Sequence, residues 1–213
     1  MTCTHCIDSE GLFDLKNARK DQKRFRKKGP NKATRLLVEM LKKQGVENKT
    51  LLDIGGGIGA IQLGLLKAVL ARATDVDASK SYLAVAEEEA NSKGYSGSVK
   101  YLHGDFMDQQ GEIQAHDFVS LDKVICCYPN REALLANAID HADGAIGLVF
   151  PHGNFLSKAF AKMANLYMRL KGSAFRTYAH SPLAVHQQLI QNGFSQAKHG
   201  RTFIWKVWLY TKN

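Results

Sequence analysis

The chain has 213 residues, 45% of them hydrophobic and 23% charged, which suits one globular domain and leaves ample length for a core. It holds no apolar run long enough for a transmembrane segment and no basic-then-apolar leader, so a cytoplasmic location is expected. The formal charge is +9, and between residues 14 and 35 ten Lys or Arg stand against two Asp, so the excess charge is read as an N-terminal basic segment.

The first expected element is a helix over residues 10–28, carrying Phe13, Lys16, Lys20, Lys23, Arg24 and Lys27 with few apolar anchors, and broken by Gly29-Pro30. A second helix over residues 32–44 has Leu36, Leu37, Met40 and Leu41 on one face and stops at Gly45. These helices form an N-terminal cap, residues 1–48, ahead of a main domain over residues 49–213. There, short apolar strands over 51–54, 73–76, 99–102, 118–125 and 145–150 alternate with helices over 58–70, 79–93 and 131–141, and Ser79 is a candidate N-cap. This alternation predicts a doubly wound, mostly parallel sheet. Helices over 155–170 and 182–192 follow. Strands over 194–199 and 202–210, joined at Gly200, must then pair antiparallel, because a parallel pair needs a long crossover. The expected class is α/β: a seven-stranded sheet, mostly parallel, with a C-terminal antiparallel hairpin and N-terminal cap helices.

Three motifs carry chemistry. Leu51-Leu52-Asp53-Ile54-Gly55-Gly56-Gly57-Ile58-Gly59 runs a strand into glycines and then a helix, so backbone can approach a ligand beside free helix amides. Gly55, Gly57 and Ala60 also satisfy the dinucleotide pattern G-x-G-x-x-A, so the loop alone leaves a nicotinamide cofactor open. Asp77 ends the second strand, where an acid can accept from both hydroxyls of a ribose, and Asp75 is the neighbouring candidate. Asp105 follows the third strand within Tyr101-Leu102-His103-Gly104-Asp105-Phe106. It can accept from an adenine amino group, with Phe106 against the ring.

In this order of features the chain from Thr50 to Asn213 resembles the class I (Rossmann-like) S-adenosylmethionine-dependent methyltransferases. Asp53, Gly55, Gly57, Gly59, Asp77 and Asp105 stand at the family's motif positions. The resemblance implies a methyltransferase whose cofactor, S-adenosyl-L-methionine, is bound by those residues and Phe106, with no metal. A NAD-dependent oxidoreductase and a non-catalytic nucleotide-binding module are the lesser alternatives. The stretch from Phe155 to Leu170, with Ser181-Pro182 and Asn192-Gly193-Phe194 after it, resembles the quinone and magnesium-protoporphyrin O-methyltransferases, which implies a small-molecule acceptor. An RNA or protein methyltransferase that uses the basic segment is the alternative.

Acceptor chemistry is expected beyond the fourth and fifth strands. Asp122 binds the donor's amino group, acts as a base, or is a structural acid paired with Lys123. Tyr128 orients an acceptor or packs on the cofactor. His152, just past the fifth strand, is the candidate base near neutral pH or a plain loop histidine. Cys126 and Cys127 are expected to pack or line the pocket; Cys3 and Cys6 are read as reduced thiols, or as half of a zinc or redox site whose second half only Cys126 and Cys127 could supply. The helix over 155–170 is expected as a lid packed on the body through its apolar face, as a wall of the acceptor pocket, or as a membrane-surface helix. The basic segment is read as a solvated helix, a cap attracting an anionic acceptor, or a nucleic-acid contact.

Overall fold

The structure is a computed structural model that describes residues 12–213. The Cys3 and Cys6 expectation and the start of the first predicted helix lie outside those residues. In chain order the elements are α1 (Leu15–Lys28), α2 (Lys32–Lys42), β1 (Thr50–Ile54), α3 (Ala60–Leu66), β2 (Arg72–Asp77), α4 (Lys80–Ser92), β3 (Val99–His103) and the single turn α5 (Phe106–Gln109). Then come β4 (His116–Asp122), α6 (Arg131–Asp140), β5 (Ala142–Pro151), α7 (Phe155–Leu170), α8 (Pro182–Gln191), β6 (Phe194–Arg201) and β7 (Trp205–Lys212). Asp14, Asn31, Ser79, Asn130, Asn154 and Ser181 each accept a backbone N–H at the start of a helix, so most helix starts are written locally.

One seven-stranded sheet has the order β3-β2-β1-β4-β5-β7-β6. The first five strands are mutually parallel, β7 runs antiparallel to β5, and β6 antiparallel to β7. Strand side chains alternate between two cores. Leu52, Ile54, Val119, Leu121 and Ile146 pack with α6 and α8 on one face. Leu51, Phe118, Ala145 and Val149 pack with α2 and α3 on the other. Helix α2 is thus a core element: Leu37 and Leu41 are wholly buried, and a Cβ at Gly147 of β5 would stand 2.6 Å from Leu37 Cδ1. Helix α1 lies further out, against α4. There the buried Glu89 accepts from Arg26 Nε at 2.5 Å, Gln22 Nε2 at 2.9 Å and Lys93 Nζ at 3.2 Å, while Arg19 and Arg26 both reach Glu88. Burial alone would raise Glu89, but the bonds from Lys93, Arg26 and Gln22 outweigh it and hold the carboxyl below its ordinary value.

Several element boundaries differ from expectation, among them the helix expected over 58–70, which spans Ala60–Leu66, and two of the differences have a clear physical cause. β4 ends at Asp122 rather than residue 125, because Lys123 takes a left-handed conformation (φ 68°) and Ile125–Cys127 coils into a 3₁₀ turn. Apolar residues continue past the turn, so hydropathy alone extends the strand too far. The hairpin turns at residues 202–204, closed by Thr202 N–H to Trp205 O at 2.8 Å, and not at Gly200. Gly200 pairs with Val207, and its missing side chain admits Leu36 of α2.

Candidate active site

Strand order reverses at β1. The chain builds outward through β2 and β3, then returns to place β4 on the other side of β1. Such a reversal leaves a crevice beyond the C-terminal ends of the strands. Here it holds a cleft of two lobes, about 290 and about 150 Å³, that share Asp21, Gly55, Gly57, Tyr82, Asp122 and Lys123.

The larger lobe gathers Gly55, Gly57, Asp77, Asp105, Phe106, Asp122 and Tyr128. Asp77 is oriented by two backbone donors, Gly57 N–H to Oδ2 at 3.1 Å and Ser79 N–H to Oδ1 at 2.8 Å. Burial raises its pKa, and these two amides oppose the rise. Asp105 Oδ1 accepts from Met107 N–H at 3.0 Å and Oδ2 from the Tyr128 hydroxyl at 2.8 Å. Tyr128 therefore meets the acid that follows the third strand, a pairing 23 residues apart in sequence. Asp122 is held by Thr34 Oγ1 at 2.5 Å and Lys123 Nζ at 2.7 Å, where the lobes join.

Three expected site residues do not reach the cleft wall. Gly59 is the left-handed N-cap residue of α3 (φ 76°). The ring of His152 bonds the Thr202 carbonyl at 2.9 Å, tying the end of β5 to the hairpin instead of facing the cleft. Asp53 is fully buried beneath the glycine loop, accepting from Ser120 Oγ at 2.6 Å and Gln62 Nε2 at 3.2 Å. Sequence reading also missed the roof. Phe13 and Phe175 line the lobe and meet edge to face at 5.8 Å, Phe13 also meets Tyr82 at 5.7 Å, and the Phe13 carbonyl accepts from Ser79 Oγ. Two aromatics 162 positions apart carry no local signal of this contact. His180 was missed as well. Kept below its ordinary pKa by burial, it bonds the Tyr128 carbonyl at 3.0 Å and pins residues 178–180 to the cleft wall.

Gln62 Nε2 also donates to Asp75 Oδ2 at 2.5 Å, so one amide serves two buried acids under the loop. Desolvation pushes Asp53 up to about 7 and raises Asp75 well above its usual range. An acid whose folded pKa is raised supports folding fully below its unfolded value, about 4, and loses that support as pH rises through about 7. Melting temperature should therefore fall across this window. Asp75→Asn should raise stability on the order of 1–3 kcal/mol at pH 8 and far less at pH 4. A variant whose gain does not depend on pH would refute the buried-acid account; thermal melts at the two pH values decide.

The cleft fits an adenosyl cofactor. A Cβ at Gly57 would meet nothing closer than Tyr82 Cδ1 at 3.9 Å, so the loop backbone opens onto the lobe, with one half-buried acid, Asp77 or Asp105, at each of two strand ends. The family described as methyltransferase small domain matches residues 18–134, more than half of the chain. Magnesium protoporphyrin IX methyltransferase from Synechocystis PCC 6803, solved with bound SAH, superposes with TM-score 0.68 at 18% identity over 85% of this chain and 82% of that one. A candidate RNA methyltransferase from Pyrococcus horikoshii gives TM-score 0.62 at 16% identity over 87% and 84%. An O-methyltransferase family protein from Burkholderia thailandensis gives 0.67 at 15% identity over 84% of this chain and 56% of that one. No curated protein matches the sequence significantly. At these identities the neighbours speak for the fold, and the family match speaks for the chemistry. The chain belongs to the methyltransferase small domain family and is an S-adenosylmethionine-dependent methyltransferase.

Proposed function

We propose that this enzyme methylates a small-molecule acceptor by in-line transfer. The observation that carries the proposal is the roof, in which α1 and the Phe13–Phe175 contact cover a cleft sized for a cofactor and a compact acceptor. In this reading residues 1–48 act as the cap through α1, and residues 49–213 supply the cofactor site. Asp77, pre-set by the Gly57 and Ser79 amides, accepts from the ribose hydroxyls. Asp105, steadied by Tyr128, accepts from the adenine amino group beside Phe106. Asp122 faces the donor's amino group, and Lys123 brings its ammonium to the same junction, where it favours an ionised acceptor. Gly55 and Gly57 let the backbone approach the donor, while Asp53 and Gly59 support the loop from below and behind.

The bound donor supplies an activated methyl on a sulfonium. The protein's task is alignment and exclusion of water, which requires no metal. His152 has no part in this scheme. Cys126 and Cys127 hold their Sγ atoms 3.8 Å apart, and both reach the Lys123 carbonyl.

Labelled-methyl transfer into a cell extract tests the proposal. Label should enter compounds that pass a small-pore filter, with the product identified by mass. Label confined to RNA or protein would overturn it. The RNA reading loses ground because Arg19 and Arg26 of the basic segment are already engaged by Glu88 and Glu89.

A further inference from the structure

Helix α7 is mounted inside out. Its small or polar side chains Ser157, Ala161, Ala164 and Asn165, with Met168, are half-buried toward the body. The orientation is locked, because Asn165 accepts Thr177 N–H at 2.7 Å and donates to the Thr177 carbonyl at 2.8 Å. The bulky residues consequently face outward. Phe155 is 83% exposed and Phe160 66%, with Leu156, Met163, Leu166 and Leu170 alongside, and no residue of the helix is fully buried. The lid packing expected from the apolar periodicity is therefore not what the fold adopts. The hairpin turn extends the surface: His152 N–H bonds the Ile204 carbonyl at the approach to α7, and neighbouring Phe203 is 88% exposed. Exposed apolar surface gathered in this way marks an interaction site.

The charge along this part of the chain has one sign. Residues 144–213 contain nine Lys or Arg and no Asp or Glu, so the whole formal charge of +9 resides there, and the basic and acidic residues before it balance. Lys158, Lys162, Arg169 and Lys171 lie on or directly after α7. A second copy of this face would bring like charges together, and a nucleic acid would leave the apolar residues in water. A surface that is apolar at depth and anionic at its boundary satisfies both.

We propose that α7, with the Phe203 turn, docks the enzyme on an anionic phospholipid bilayer. The apolar residues enter the acyl boundary and the basic ones meet the headgroups. This does not depend on which acceptor is methylated. The test is flotation of the full chain with phosphatidylcholine vesicles, pure or containing about one-third phosphatidylglycerol. Wild type should float with the anionic vesicles only and be released by salt. Phe160→Gln with Met163→Gln, and separately Lys158→Glu with Lys162→Glu, should each lower the bound fraction by about tenfold. Both variants should keep the wild-type melting temperature and donor affinity, because the altered side chains are exposed. Equal or absent binding to the two vesicle types would overturn the proposal, as would binding that survives both variants. A dimer that dissolves in the Phe160→Gln, Met163→Gln variant would overturn it by identifying a second copy as the occupant.

Discussion

Asp77→Ala is expected to weaken S-adenosylmethionine binding by about 1.5–3 kcal/mol, or roughly tenfold to more than a hundredfold in Kd, because it removes charge-assisted hydrogen bonds to the ribose. The residue is well placed for this. Gly57 and Ser79 amides orient the carboxylate before any ligand arrives, so little ordering cost remains on binding. Burial raises its folded-state pKa. Affinity should thus fall on acidification, as the proton enters the group that must accept from the ribose. Calorimetry of wild type and variant, with NAD as a control ligand, measures the effect. Unchanged affinity in the variant would remove Asp77 from the ribose site, and NAD binding would revive the dinucleotide reading of the loop.

The second large effect separates two glycines of the loop. Gly55 and Gly57 both have left-handed backbone, φ 64° and 61°, so an alanine at either costs about 1–2 kcal/mol in conformation. Their surroundings differ. A Cβ at Gly55 would lie 2.6 Å from Cγ2 of Val124, a β-branched side chain with a stiff χ1, which adds about 1–3 kcal/mol of overpacking. At Gly57 the Cβ points into the cleft. Gly55→Ala should therefore lose roughly 2–5 kcal/mol of stability, and Gly57→Ala only about 1–2 kcal/mol while its donor affinity falls more than its stability. Urea unfolding beside calorimetry resolves the two. Equal stability losses would mean that Val124 yields freely.

Much of the framework was legible locally. Capping residues such as Ser79, the strand that ends in glycines, and the short link between the last two strands each act over a few residues, where steric and hydrogen-bond rules apply directly. Gly200 misled because a glycine inside a strand resembles a turn, and only α2 packing over it explains why it is there. The site was partly legible for a similar reason. Asp77 and Asp105 sit at strand ends whose position follows from the topology. The burial of Asp53 depends on Ser120 and Gln62 arriving from other elements.

The basic segment teaches the same lesson about charge. Residues 14–35 hold the densest run of Lys and Arg, yet Arg19 and Arg26 are neutralised by Glu88 and Glu89 of α4. The residues after Asp143 are sparser in charge, but no acid among them can compensate. The sequence by itself determined the class of fold, the order of cofactor motifs and the total charge, because each depends on residue type and near-neighbour spacing. Tertiary structure decided which charges are cancelled, that Tyr128 and not His152 joins the cleft, that Phe13 and Phe175 roof it, and that α7 turns its apolar face outward. Those outcomes rest on contacts between residues far apart in the chain, and a helix with a clear apolar stripe does not state which way the stripe will face until Asn165 finds Thr177.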